Sequence, residues 1–238
     1  MASTKIETEK SRDSELEAQL KALEKYVPSI VRTAIARDPQ KPLLDRHTRD
    51  LSVLFMDIAG CTRLCEILSP GRMQEVIEGY FSSFIDEVHD LGGTINETAG
   101  DGLMILFLNE DPEDHALAAA RAAFLIHAHT REFAICWGGE CEDLAVHIGI
   151  NTGRASLGVL EFRGKREVRA TYTASGPVIN IAARLADLAP GGKTYVGEEN
   201  WRRIRGDFDG SFVGRFELKN VTRPVGVYEV TRERSVAP

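Results

Sequence analysis

The sequence predicts an α+β fold, a sheet of ferredoxin-like type with helices on one face, and two observations carry that expectation. The first is order. From residue 51 onward, short apolar runs and helix-patterned stretches follow one another as strand, helix, hairpin, helix, strand. The second is punctuation. Pro70 and Pro112 stand where first-turn prolines open helices, while Gly92-Gly93 and Gly100-Asp101-Gly102 stand where a helix ends and a hairpin turns. At 238 residues and 43% hydrophobic content, the chain suits one sizeable domain with a core and an appendage.

Residues 1–12 are polar and are expected to be disordered. Over 13–37, Leu16, Leu20, Leu23, Val27, Ile30 and Ala34 recur in alternating steps of four and three, which predicts a helix interrupted at Pro28. Its apolar stripe suits either a parallel coiled-coil dimer contact or a face docked on its own domain. DPQKPLLDRHTRD (38–50) reads as a linker. LSVLFM (51–56) predicts a strand that ends at Asp57 and turns at Gly60, and a helix runs from near Pro70 through MQEVIEGYFSSFIDEVHDL. A hairpin joins TINET to LMILFL through the Gly100-Asp101-Gly102 turn. An alanine-rich helix follows from Pro112 to about Phe133, then strands at AVHIGINTG (145–153) and near LGVLEF (157–162). A helix at VINIAARLADL (178–188), TYVG (194–197), and strand-like runs at FVGRFEL (212–218) and VGVYEV (225–230) complete a domain over 51–231, with 232–238 as a tail. No internal repeat or low-complexity segment is visible.

Charge and hydropathy exclude several classes. A net charge of −7 argues against a general nucleic-acid or anionic-membrane partner, since both need a basic surface. No run reaches the roughly 18 apolar residues of a membrane span, and MASTKIETEKSRDSE has no apolar core for a signal peptide. These features predict a soluble cytoplasmic protein. Cys61, Cys65, Cys136 and Cys141 form no CxxC pair and have no histidine at zinc-site spacing, so they read as free thiols of a reducing compartment. Histidines 47, 89, 115, 127, 129 and 147 are scattered and read as surface or satisfied core residues; His127 and His129, two apart on a helix, point in different directions.

The chemistry concentrates at two carboxylates. Asp57 ends one apolar run and Asp101 sits in the hairpin turn that opens another, so pairing of the two strands brings both to one sheet edge. Mg²⁺ or Mn²⁺ suits that arrangement, taking one or two carboxylates together with phosphate oxygens. Past Asp57 the chain turns out of the strand, and the backbone amides of Gly60, Cys61 and Thr62 form a candidate anion nest. No GxxxxGK[ST] occurs, which excludes a P-loop ATPase. On the predicted helix at 178–188, Asn180 and Arg184 are four apart and share a face, offering an amide and a planar cationic fork.

Taken together, FMDIAGCT, GDGLMILF, VHIGINTG, SGPVINIAAR and FELKNVTRPVGVYEV resemble, in this order and spacing, the catalytic domain of the class III nucleotidyl cyclases, the adenylate and guanylate cyclases, of bacterial type. The resemblance covers about residues 45–231, and the segment ending YVPSIVRTAIARDP is similar to the helix that precedes many bacterial members. It implies the ferredoxin-like βαββαβ core of that domain. It also implies a homodimer whose active sites lie at the interface and hold a nucleoside triphosphate and two Mg²⁺ or Mn²⁺ ions each. On this resemblance Asp57 and Asp101 hold the metals, with the backbone carbonyl of Ile58 as a further ligand. From the partner copy, Asn180 positions the ribose and Arg184 stabilises charge at the α-phosphate, while Arg169 and Lys219 contact the triphosphate. The reaction is attack of the ribose 3′-oxygen on the α-phosphorus with loss of pyrophosphate, a step that asks for positioning and preorganised charge.

The positions that read the base are mixed. Glu97 matches guanylate cyclases, where adenylate cyclases carry lysine; Thr173 matches an adenylate-type subgroup. An ionised glutamate only accepts, which suits the N1–H and amino group of guanine and opposes adenine N1, whereas a threonine hydroxyl serves either purine. Uracil N3–H and the cytosine amino group also suit a glutamate, so GTP leads, with ATP and pyrimidine triphosphates as alternatives. A catalytically silent cyclase-like regulatory dimer is the contrasting class, and the completeness of Asp57, Asp101, Asn180 and Arg184 favours the enzyme.

Overall fold

The computed structural model describes residues 2–42 and 44–234. Helices α1 (Ala2–Glu24) and α2 (Ser29–Arg37) precede strand β1 (His47–Ala59), followed by α3 (Cys61–Ile67), α4 (Pro70–Ser82), α5 (Ile85–Asp90), β2 (Gly93–Ala99) and β3 (Gly102–Phe107). Next come α6 (Pro112–Trp137), β4 (Ala145–Arg163), β5 (Val168–Ser175), α7 (Pro177–Leu188), β6 (Thr194–Gly197), α8 (Glu198–Ile204), β7 (Phe208–Phe216) and β8 (Val225–Glu233). Among the described residues the strands form one sheet in the order β2-β3-β1-β4-β6-β8-β7, with β5 paired to β4. The first four strands pair antiparallel in the order β2-β3-β1-β4, and the helices between them make that unit βαββαβ, the expected ferredoxin-like core.

Helices cover both faces of the sheet, not one. Because side chains alternate along a strand, Leu54, Met56 and Ile58 of β1 enter a core with Val76 and Tyr80 of α4 and Ile126 of α6, while Leu51 and Val53 enter a second cluster with Ile179 and Ala182 of α7. On the α6 side a polar chain crosses the core. Ser52 Oγ lies 2.8 Å from His115 Nδ1 and 2.6 Å from Thr152 Oγ1, to which Asn200 Nδ2 donates at 2.7 Å. Burial holds the His115 imidazole below its usual range, while Asp50, with Oδ2 3.7 Å from its Nε2, pulls the other way.

Gly149 sets how closely α7 approaches. It lies opposite Phe55 on β4, and a Cβ there would fall 2.1 Å from the Ala186 nitrogen and 2.3 Å from the Ala182 oxygen. Neither backbone atom can rotate away. Gly149→Ala is therefore expected to cost about 3 kcal/mol, or roughly 6–12 °C in Tm, by overpacking. Thermal unfolding followed by circular dichroism checks this, and an unchanged Tm would show that α7 is free to lift.

Several elements differ from the sequence expectation. Helix α1 runs through the stretch read as disordered: low apolar content removes the means to build a core, but lysine, glutamate, alanine and leucine remain strong helix formers. The interruption expected at Pro28 divides the segment into two helices, α1 ending at Glu24 and α2 starting just after Pro28. The apolar seam divides at that break. Leu16, Leu20 and Leu23 on α1 are 54–57% exposed, while Ile30 of α2 packs against the second cluster. The expected linker 38–50 ends early, at His47, because β1 pairs with β4 from that residue on. The long helix from Pro70 breaks at Ser83, whose hydroxyl donates to the Tyr80 carbonyl at 2.7 Å and competes with the helix ladder. The two strands expected at 145–153 and 157–162 are one, β4, and the expected tail begins inside β8; residues 235–238 lie outside the described residues.

Candidate active site

Strand register builds the site. Asp57 is paired with Gly102 of β3 on one side and His147 of β4 on the other. Between β2 and β3 the chain turns through Gly100, whose φ of 63° is left-handed, and this turn carries Asp101 up to Asp57. The lack of a side chain at Gly102 leaves the room: a Cβ there would sit 3.2 Å from Asp57 Oδ1.

The two carboxyls are in direct contact. Asp57 is held above the usual carboxylate range, first by burial, then by the charge of Asp101 and a hydrogen bond to it; His147 and the Ile58 backbone N–H pull the other way. Carboxyls that touch hold either a proton or a cation between them. Asp57 Oδ1 is buried with no hydrogen-bond partner, an acceptor left for something to fill. This all-oxygen donor pair fits a hard divalent cation. Among the described residues no point already gathers three or more His, Cys, Asp or Glu side chains for a metal, so a bound cation would draw its remaining ligands from backbone, water or phosphate oxygens.

His147 was set aside in the sequence reading, yet its Nε2 is 3.9 Å from Asp57 Oδ2, with Nδ1 3.2 Å from the Ala189 carbonyl oxygen. Nothing but strand register could have revealed that neighbour. Gly60, in a left-handed conformation, precedes α3, and Cys61 and Thr62 form its first turn as expected; α3 is only 7 residues long, so any anion binding there would come from local amides and not from a helix dipole. Burial pushes the Cys61 thiol up, and Asp101, hydrogen-bonded to it, adds to the shift.

The base-reading positions meet. Thr173 Oγ1 donates to Glu97 Oε1 at 2.7 Å, and Asn96 Nδ2 donates to Thr173 Oγ1 at 3.3 Å. A bulge in β2 between Ile95 and Glu97 aims both Asn96 and Glu97 this way, and it leaves Asn96 Oδ1 buried without a partner. Asn96 was missed in the sequence, where a one-residue bulge leaves no mark. Asn180 and Arg184 lie on α7, Asn180 exposed and Arg184 donating to Asp187 Oδ2 at 2.6 Å. Arg169 on β5 and Lys219 between β7 and β8 are exposed, and neither joins the carboxylate pair within one chain.

A cavity of about 140 Å³ lies between these groups, lined by Phe55, Asp57, Glu97, Met104, Ala183 and Asp187. Small-molecule sites usually enclose about 300–1,000 Å³, so this is too small for a nucleotide without a further wall.

The sequence model of the adenylate and guanylate cyclase catalytic domain matches residues 44–231. An uncharacterized protein of Mycobacterium tuberculosis is 32% identical over 160 residues, which make up 66% of this chain and 27% of that protein, so the chain spans about a quarter of that relative. Among solved structures, the adenylyl cyclase CyaB from P. aeruginosa superposes with a TM-score of 0.73 at 26% identity, over 82% of this chain and 100% of that one. The guanylyl cyclase Cya2 superposes at 0.69 and 25% identity, over 81% and 95%. A bacterial light-regulated adenylyl cyclase reaches 0.81 over 96% of this chain and 65% of that one; at 20% identity this is a likeness of fold alone. No helix among the described residues is long and apolar enough to cross a membrane.

Proposed function

Because the chain belongs to the adenylate and guanylate cyclase catalytic domain family, we propose that it converts a nucleoside triphosphate, GTP ahead of ATP, into a 3′,5′-cyclic nucleotide and pyrophosphate at sites shared between two copies. The contact of Asp57 with Asp101, with Oδ1 of Asp57 orphaned, is the observation that carries the reading. Two Mg²⁺ or Mn²⁺ ions held by these carboxylates and the Ile58 carbonyl would supply Lewis-acid charge at the triphosphate. The chain's own groups do the rest. Asn180 orients the ribose; Arg184, released from Asp187, faces the α-phosphate; Arg169 and Lys219 hold the outer phosphates. A second copy supplies the wall that the small cavity lacks, and the exposed Leu16, Leu20 and Leu23 of α1 suit a parallel contact with it. On this reading the protein is a cytoplasmic enzyme.

The Thr173–Glu97 hydrogen bond supports guanine. With its proton committed to Glu97, Thr173 presents an acceptor oxygen beside an acceptor carboxylate, a pair that complements two adjacent donors such as guanine N1–H and N2–H. Uracil offers one such donor, which keeps a pyrimidine triphosphate as the second reading. Turnover with Mn²⁺ and each of ATP, GTP, CTP and UTP tests this, and a clear ATP preference would overturn it. Glu97→Lys is expected to move the ranking toward ATP by about five- to 150-fold, the cost of about 1–3 kcal/mol for an unpaired buried polar group. An unchanged ranking in an active Glu97→Lys enzyme would remove Glu97 from base recognition.

A further inference from the structure

The base-reading pair has a third member that the proposed reaction leaves unused. Asn96 is the extra residue of the bulge in β2, and the bulge brings it to the same side as Glu97, where two neighbours on a regular strand would point to opposite faces. Both side chains meet Thr173 of β5, with Asn96 Nδ2 3.3 Å and Glu97 Oε1 2.7 Å from its Oγ1. A hydroxyl has one proton and two lone pairs, and an ionised carboxylate only accepts, so the Thr173 proton goes to Glu97. The Ala174 carbonyl, at 3.3 Å, is the longer and uncharged alternative. Asn96 must then donate. Turned over, its amide would set Oδ1 against an oxygen whose proton is already committed, so Nδ2 faces Thr173 and Oδ1 is left buried without a partner. Leucine, of similar size, would leave no such orphan, and the bond to Thr173 is what the amide gains in its place.

We infer that Asn96 is a positioning residue for base selection: its amide occupies one lone pair of the Thr173 hydroxyl and keeps the proton on Glu97, so that the pair accepts from a base and does not donate to one. The chain of bonds runs one way, from amide to hydroxyl to carboxylate. The acceptors left over suit the N1–H and amino group of guanine and oppose the bare N1 of adenine. Without the amide, the hydroxyl is free to turn its proton toward adenine N1. The inference rests on the base lying against Glu97 and Thr173, as in the proposed function.

The ratio of kcat/KM for GTP to that for ATP, measured with Mn²⁺ on the full chain, tests this. Asn96→Leu and Asn96→Ala both remove the donor and should lower the ratio about two- to tenfold, the range of one neutral hydrogen bond, through KM with kcat nearly unchanged. A merely structural loss would lower both substrates together. Because Asn96 acts through the hydroxyl, adding Asn96→Leu to Thr173→Val should not move the ratio further. A ratio unchanged in both Asn96 variants, or one that Asn96→Leu still moves beside Thr173→Val, overturns the inference. Fluorescence titration with N-methylanthraniloyl GTP and ATP separates it from the cyclase reading. The same shift in binding by a chain that turns over no triphosphate would overturn catalysis and support Asn96 as the selector. Equal weakening of both nucleotides in an active enzyme would overturn the selector and leave the cyclase reading standing.

Discussion

Alanine at Asp57 or at Asp101 is expected to lower cyclic-nucleotide formation on the order of a thousandfold while the fold persists, because each change removes half of a preorganised charge that nothing nearby replaces. Asp57 lies near the end of the interior strand β1 and Asp101 in the turn between β2 and β3, and neither fills the core. Asp57 is in fact a strained neighbour, raised above the carboxylate range by burial and by Asp101. Without divalent cation, Asp57→Asn should therefore melt at or above the wild-type temperature, whereas added Mn²⁺ should stabilise the wild type alone. Pyrophosphate release and thermal unfolding in parallel check both halves. Substantial turnover in either alanine variant would remove the carboxylate pair from the chemistry, and a collapsed Tm would make it structural.

Mixing two inactive variants should restore activity. If each site takes its carboxylates from one copy and Asn180 with Arg184 from the other, an Asp57→Ala/Asn180→Ala heterodimer has one site with both halves intact and one with neither. Random exchange makes half of the dimers mixed, so about a quarter of wild-type turnover should return. Either variant alone should stay at least about a hundredfold down. Demonstrated heterodimers without recovered turnover would place the whole site within one chain, and the 140 Å³ cavity would then have to open by movement of α7.

What the sequence made legible was whatever local chemistry marks. Pro70 and Pro112 each sit in the first turn of a helix, and the glycines around Asp101 form a hairpin turn, because proline and glycine act on their own backbone wherever the chain goes. The carboxylates were legible for the same reason, standing where apolar runs break. Unmarked features depend on partners. β5 carries a period-two signal that was overlooked, since Val168, Ala170, Tyr172 and Ala174 alternate with polar residues along it, whereas α8 is 7 residues long and buries Asn200 along with Ile204, so no apolar period marks it. His147 near Asp57 and Asn96 near Thr173 are facts of register and bulge, which exist only once strands pair. Arg184 was read as a cationic fork sharing a helix face with Asn180, and its pairing with Asp187, three residues on, within one chain went unread.

The strand order also has a kinetic consequence. Asp57 meets Gly102 and His147 across β1–β3 and β1–β4, pairings that close long stretches of chain, and such non-local contacts form slowly compared with helices. During refolding, circular dichroism should therefore recover before the carboxylates come together. On the proposed reading, the moment at which Mn²⁺ begins to bind would then time the closing of the central strands, so the site would double as a clock for the last stage of its own assembly.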